Sequence, residues 1–396
     1  MITTFYPPYN FGGAGIYVHR LSNELARRGH QVTVIHSIDA CRLQAHRDPV
    51  QNCSDHPNVT VDGLARATAF LTSLVTQQTG VPFVYTSRIQ KILGQGFDVI
   101  NYHNVSLVGG AQALTYGNAI KLYTIHEYWL VCPTHVLFRD NRAVCAEKRC
   151  LPCSLVYRRP PRWWRYTNLL PRAVQHVDAF IAPSRFCRDA HHQRGFTAPI
   201  VYLPSFIPAA PLALRNEKAT PYFLFVGRLE QLKGVQTLIP LFQNYPRARL
   251  LIAGVGAYEK HLRGLAQESD NIQFLGRMAG AELNALYRNA IALIVPSLCF
   301  EAFPTVIAEA FQQQTPVIAR NLGAMPEIIS ESGGGLVYDN DAALIAGMDR
   351  LAGDRSDRHV LGIRGYDACQ RNWTTDTHLR NYLPLIDRVA EEKNKQ

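Results

Sequence analysis

The sequence predicts an α/β protein of two doubly wound domains, each a parallel sheet covered by helices on both faces. Three observations predict it. Short, continuous apolar runs alternate with helix-like stretches along the chain, and continuous apolar strands are those buried on both faces. A linker with Pro204, Pro208, Pro211 and Pro221 divides the chain near its middle. The glycine-rich and charged motifs follow apolar runs, which puts them at the carboxyl ends of strands, where such sheets hold their ligands. At 396 residues the chain is long for one domain and comfortable for two.

The elements follow in order. Ile2–Tyr6 is β-favouring and reads as the first strand. Met1 sits directly on it, so either that strand is short or the true start lies upstream. Gly12-Gly13-Ala14-Gly15 opens a helix, Ile16–Arg28, whose apolar positions include Ile16, Val18, Leu21 and Leu25, and Gly29 stops it. Gln31–Ile35 and Val59–Val61 are the next strands, and Ala69–Gly94 holds one or two helices. Asp98–Tyr102 and Leu122–Ile125 are strands, followed by a polar, Cys-bearing insertion, Pro133–Pro161. Ala179–Ala182 is a strand, and Ser184, a good N-cap, starts a helix to Arg194. In the second half the strands are Tyr222–Val226, Ala248–Ala253, Ile272–Phe274, Ile291–Val295, Pro316–Ala319 and Gly335–Val337, with helices such as Gly234–Phe242, Ala281–Asn289, Thr305–Gln314 and Ala342–Leu351 between them. A last helix, His378–Glu392, has no following strand and is free to pack back across the domain junction. The bounds become 1–205 for the amino-terminal domain, with the Cys-rich insertion at about 130–165, 206–375 for the carboxy-terminal domain, and 376–396 for the crossing helix.

Composition narrows the function classes. Hydrophobic residues make up 47% and charged residues 18%, a globular balance. No apolar run reaches the roughly 18 residues of a membrane span, and no secretory signal stands out, so the expected compartment is the cytoplasm. The net charge of +10 is uneven: residues 1–215 hold 22 Lys+Arg against 11 Asp+Glu, and the rest 19 against 20. The excess gathers in Arg139–Arg172, with aromatics interleaved in YRRPPRWWRY, Tyr157 to Tyr166. That stretch reads either as a solvated surface or as a peripheral contact of residues 157–172 with an anionic membrane. No nucleic-acid motif accompanies it, so nucleic acid is not an expected partner.

The motifs point to an anion with hydroxyls beside it. Pro296–Pro316, PSLCFEAFPTVIAEAFQQQTP, runs from a strand end through a loop with Glu301 into a helix with Glu309. The first free N–H groups of that helix, after Phe303-Pro304-Thr305, make an anion site. A carboxylate accepts two hydrogen bonds from a vicinal diol, and a nucleotide sugar offers a diphosphate and diols together. Arg228 and Lys233 share one short loop after the strand Tyr222–Val226, a forked donor and a mobile point charge suited to a diphosphate, although a solvated loop is the plainer reading. Gly12-Gly13-Ala14-Gly15 allows close backbone approach or simply a tight turn, and neither it nor Gly254-Val255-Gly256 completes a dinucleotide fingerprint. His126 follows a strand and is either a ligand for a hydroxyl or proton, or a packed core histidine. Cys132, Cys145, Cys150 and Cys153 are spaced C-x12-C-x4-C-x2-C, which fits a closed structural zinc site, redox-sensitive pairs or plain thiols. The other five cysteines, Cys41, Cys53, Cys187, Cys299 and Cys369, are scattered.

Taken together the chain resembles a retaining GT-B glycosyltransferase of family 4. The resemblance rests on FYPPYNFGGAGIYVHRLSNELARRGHQVTVI (5–35), FVGRLEQLKGVQTLI (225–239), the E-x7-E stretch at Glu301 and Glu309, and TPVIARNLGAMPEII (315–329). HEYWLVCPTH with the three later cysteines looks like a subgroup of that family. The resemblance implies two Rossmann-like domains facing a cleft. It implies that Arg228 and Lys233 bind the donor diphosphate, that Glu309 holds the ribose, and that Gly13 admits the diphosphate. Glu301 and the backbone of Phe303, Pro304 and Thr305 would lie against the donor sugar and phosphates, and His126 would contact the sugar. A UDP- or GDP-sugar would be the donor, a glycan, lipid-linked or small molecule the acceptor, and no catalytic cofactor would be needed. Ala302 departs from the glycine usual in the family and narrows the room at that loop. A nucleotide-sugar epimerase or phosphorylase on the same architecture, and a non-catalytic nucleotide-sugar-binding protein, remain as rivals.

Overall fold

The computed structural model describes residues 1–10, 12–45, 54–66, 69–216, 220–267 and 269–395. Two parallel sheets dominate it. The carboxy-terminal sheet has six strands in the spatial order Ile272–Gly276, Arg249–Ala253, Tyr222–Val226, Leu293–Val295, Val317–Arg320, Gly335–Tyr338. Every pair is parallel. Alternate residues along each strand enter opposite clusters: Phe223, Phe225, Leu250, Ile252 and Ile294 on one face, and Leu224, Leu251, Ala253, Leu293 and Val295 on the other. Both faces are therefore covered, which is why these strands read as unbroken apolar runs. The order reverses between Tyr222–Val226 and Leu293–Val295, so the loops leaving these two neighbours splay apart and open the crevice that binds ligands in such sheets.

The amino-terminal sheet pairs Val99–Tyr102, Ile120–Thr124, Ala179–Ala182 and Ile200–Tyr202 in parallel, and Val32–Ser37 with Val59–Leu64. Ile2 joins the two groups through parallel bridges to Ile35 and Tyr102. The expected first strand, Ile2–Tyr6, is thus reduced to a bridge. Tyr6 instead pairs antiparallel with Tyr9 around Pro7-Pro8, because prolines have no N–H to continue a ladder. The helix Arg185–Gln193 starts as expected, with Ser184 Oγ accepting from Cys187 N at 3.0 Å. The insertion has little regular structure: strands Phe138–Arg139 and Ala143–Val144, and the helix Cys150–Val156.

The helix Arg355–Asn372 packs on the carboxy-terminal domain, where Gly365 lies against Phe311. The chain then crosses back. The helix Thr375–Asn394 is capped by Thr374 Oγ1, which accepts from Thr377 N at 3.2 Å. It buries Leu379, Tyr382, Leu385 and Val389 in the amino-terminal core beside Tyr17, Val18, Leu21 and Leu122. Each such side chain stabilises the junction by about 1.5–3 kcal/mol, and Asn101 Nδ2 adds a hydrogen bond to Tyr382 Oη at 2.8 Å. No described helix is long and apolar enough to cross a membrane.

Candidate active site

The carboxy-terminal wall of the crevice is built from two strand-end loops. The loop after Tyr222–Val226 turns through Gln231–Lys233 into the helix Val235–Gln243. Gly234 caps that helix at φ 80°, and a Cβ there would lie 2.0 Å from the carbonyl oxygen of Pro296. Only glycine lets the two loops touch. The contact brings Lys233 to Glu301: Nζ donates to Oε1 at 2.7 Å, and Ser297 Oγ donates to the same oxygen at 2.7 Å. Burial pushes the Glu301 carboxyl up, but Lys233, Ser297 and Arg228 together hold it below the usual value. Burial likewise pulls the Lys233 amine down, and Glu301 outweighs it, leaving the amine raised. Both groups are therefore charged. Arg228 Nη1 donates to Glu230 Oε1 at 2.6 Å. The helices starting at Val235 and Thr305 have no side-chain cap, so no side chain competes with a ligand for their first N–H groups. Pro304 contributes no N–H, and its carbonyl accepts from the Ile307 N–H at 3.0 Å.

Glu309 lies on the helix Thr305–Gln312 and accepts from Tyr287 Oη at 3.1 Å. Arg20 of the amino-terminal domain approaches its other oxygen at 3.7 Å. Further contacts cross between the domains. Ser184 Oγ donates to the Ala302 carbonyl at 2.7 Å. Glu327 accepts from the backbone N–H groups of Arg185 and Phe186 at 2.8 and 2.9 Å. Asn141, in the turn of the insertion hairpin, donates to Gln231 Oε1 at 2.7 Å. Ala302, the departure noted in the sequence, is buried in the amino-terminal core cluster.

The amino-terminal wall is aromatic. Its first helix, Gly13–Arg27, has no side-chain cap, and nothing lies within 4 Å of where a Cβ on Gly12 or Gly13 would stand. His126, just past the strand Ile120–Thr124, pairs its Nε2 with His103 Nδ1 at 3.1 Å and packs its ring 4.8 Å from that of Tyr17. Tyr17 in turn meets His378 Nε2 at 2.9 Å, while His378 Nδ1 lies 2.8 Å from the carbonyl of Pro204. A carbonyl only accepts, so Nδ1 carries the proton and Tyr17 donates to Nε2. Burial lowers His126 and His378 to about 4 each, and pushes His103 well down. These rings are neutral near pH 7.

Sequence reasoning named Gly13, His126, Arg228, Lys233, Glu301 and Glu309 but missed their partners. Tyr17 and Arg20 stand at i+4 and i+7 from Gly13, on one helical face, and that spacing was the available signal. His103 follows the strand Val99–Tyr102 much as His126 follows its own. Tyr287, Ser297 and His378 carried no comparable pattern. The zinc expectation gains no support. Cys132, Cys145, Cys150 and Cys153 do line one cavity of about 20 Å³. However, among the described residues no group of three or more His, Cys, Asp or Glu is arranged to hold a metal ion. The sulfurs instead face local partners: Cys132 the Thr134 hydroxyl, Cys145 the Glu147 carbonyl, and Cys153 the Asp140 N–H. Burial raises the thiols of Cys145, Cys150 and Cys153, which keeps them protonated.

Two facing doubly wound domains, a crevice at a strand-order reversal and a crossing final helix define the GT-B class of glycosyltransferases. The chain belongs to glycosyltransferase family 4. The model of that family matches residues 11–210, and the model described as glycosyl transferases group 1 matches residues 211–368. Glycogen synthase of Mycobacterium tuberculosis is 27% identical over 357 residues, 83% of this chain and 79% of that protein. Among solved structures, sucrose-phosphate synthase from Thermosynechococcus elongatus superposes with a TM-score of 0.74 at 19% identity, over 99% of this chain and 98% of that one. Anabaena HepE, solved in complex with UDP, gives 0.62 at 16% identity, over all of both chains. The protein is a glycosyltransferase.

Proposed function

We propose that the protein moves a hexose or N-acetylhexosamine from a UDP- or GDP-sugar to a glycan, lipid-linked or small-molecule acceptor, with retention at the anomeric carbon and no catalytic metal. The observation that carries this reading is the half-buried Lys233–Glu301–Ser297 cluster, set where two strand-end loops meet beside two uncapped helix starts. The UDP bound by HepE supports a uridine donor. Residues 206–375 take the donor and residues 1–205 the acceptor, with 376–396 tying them together.

In this reading Arg228, Lys233 and the N–H groups near Thr305 neutralise the leaving diphosphate, each well-placed donor contributing about 3–4 kcal/mol to the transition state. Lys233 stays held by Glu301, so the cation is oriented before the donor arrives. Glu309 exchanges Arg20 for the ribose diol. Gly13 leaves room for the diphosphate against the first helix. His126, neutral, gives a hydrogen bond to a sugar hydroxyl rather than a positive charge. Glu301 holds Lys233 and Ser297, and Glu309 is given to the ribose, so this reading assigns no carboxylate as a nucleophile. That supports a front-face transfer. The bond from the anomeric carbon to the phosphate oxygen breaks, the acceptor oxygen bonds to the same face, and the departing phosphate takes the acceptor's proton.

A thermal-shift screen of UDP-, GDP-, ADP- and dTDP-sugars tests the donor, since a ligand of the native state raises its stability by mass action. A rise with UDP- or GDP-sugars is expected, and release of the nucleotide only when acceptor is present separates transfer from epimerisation, phosphorolysis or simple binding. No rise with any of the four, or nucleotide release indifferent to acceptor, contradicts the reading.

A further inference from the structure

Beside the insertion lies a groove of about 600 Å³, within the usual size of a ligand site. Its aliphatic lining includes Leu130, Val131, Leu170, Val174 and Val177. Lys148, Arg162, Arg165 and Arg194 also line it, and no carboxylate does among the described residues. Arg162 is turned to His135, with Nη1 2.8 Å from Nε2. Arg165 donates through one Nη to the carbonyl of Trp129. Its guanidinium lies over the rings of Trp164 and Trp129, at 4.9 and 5.3 Å. Its Nε is shut from solvent without a hydrogen-bond partner, and no ion pair to it is found among the described residues. A sheltered cation with an unsatisfied donor is costly unless an anion reaches it.

The rim is unusual too. Trp163 is 63% exposed and Tyr166 is 65% exposed, with rings 6.3 Å apart. Leu155 and Val156, on the helix Cys150–Val156, are also exposed. Exposed aromatics and aliphatics beside cations make an amphipathic surface suited to a bilayer interface, where each basic residue near anionic lipid adds about 1 kcal/mol.

We propose that this groove and its rim dock the protein on a bilayer containing anionic phospholipid, with one lipid chain in the aliphatic groove and the lipid phosphate on Arg165 and Arg194. An aliphatic floor favours a hydrocarbon chain over nucleic acid, which needs stacking platforms and a phosphate-tracking stripe. Arg194 ties the surface to the donor loop: its guanidinium lies 5.7 Å from the ring centre of Phe300, next to Glu301. Docking there sets the donor loop close to the membrane. The proposal does not rest on the donor or the reaction, because binding needs no turnover.

The test is co-sedimentation of the full chain with vesicles of phosphatidylcholine alone or mixed with phosphatidylglycerol, alongside thermal shifts with dodecyl phosphate, dodecanol and inorganic phosphate. The protein is expected to pellet with the anionic vesicles only, and to be stabilised by dodecyl phosphate but not by the other two. Trp163→Asp with Tyr166→Asp, on the exposed rim, is expected to weaken vesicle binding at least about tenfold with an unchanged melting temperature. Val174→Trp, filling the groove, is expected to abolish the dodecyl phosphate shift. Equal binding to neutral vesicles, or full binding by the rim variant, overturns the proposal. Stabilisation by inorganic phosphate alone marks a free-anion site and also overturns it, as does binding of a single-stranded oligonucleotide without binding of vesicles.

Discussion

On the carboxy-terminal wall of the cleft, Lys233 and Glu301 are both charged and meet at 2.7 Å, with Arg228 on Glu230 beside them. On the amino-terminal wall, His103, His126 and His378 are held neutral by burial and hydrogen-bond to each other, to Tyr17 and to the chain at Pro204. One wall keeps fixed charges in place, and the other keeps its polar rings neutral near pH 7. In the proposed reading, the difference matches the two halves of a nucleotide sugar. A diphosphate is best met by preorganised charge, whereas a neutral sugar or acceptor is best met by hydrogen-bonding rings that do not attract stray anions.

The largest effects are expected on the charged wall. Lys233→Ala and Glu309→Ala should each abolish measurable turnover, a loss of at least about a hundredfold for the lost transition-state contact, while circular dichroism and melting stay near wild type. Wild-type activity in both variants would place the donor elsewhere. Glu301→Gln should cost stability as well as rate, because it leaves the half-buried Lys233 ammonium without its counterion, a loss of about 1–3 kcal/mol. Denaturant unfolding reads this directly, and an unchanged midpoint would mean that the pair is solvated.

Smaller effects are expected from the neutral wall. His126→Ala should lower kcat about tenfold, the scale of one neutral hydrogen bond, without adding or removing an ionisation from the pH–rate profile near neutrality. The wall also sets a stability profile. The unfolded histidines bind protons below about pH 6.5, and folded His126 and His378 do so only near about 4. The unfolded state therefore binds more protons across that window, and stability falls as pH drops from 6.5 towards 4. Melting temperatures across the window should show this fall, with a shallower slope in His378→Asn. The smallest effect belongs to Arg20→Ala. Its pair with Glu309, at 3.7 Å and part-exposed, joins the walls and is worth about 0–1 kcal/mol, so the change in donor KM should stay within a few-fold.

The same contrast explains what was legible in the sequence. All six strands of the carboxy-terminal sheet, and the loops bearing Arg228, Lys233 and Glu301, follow from apolar runs and their flanking residues, because a buried parallel strand has no polar face to confuse the pattern. The amino-terminal half was harder. Its first strand survives only as bridges at Ile2, since Pro7 and Pro8 end it. Its histidines gain their meaning only when the crossing helix brings His378 to Tyr17, which lies 361 residues away in the chain. The cysteine spacing suggested a metal, but spacing says nothing of where each sulfur turns, and Cys132, Cys145 and Cys153 turn to local partners.

Calorimetric titration of UDP and GDP into wild type, Lys233→Ala and His126→Ala tests the division of the cleft most directly. Binding of at least one nucleotide is expected, weakened at least about tenfold by Lys233→Ala, the scale of one lost charge-assisted contact, and left unchanged by His126→Ala. Equal weakening in both variants, or none in Lys233→Ala, would contradict the assignment of the diphosphate to the charged wall.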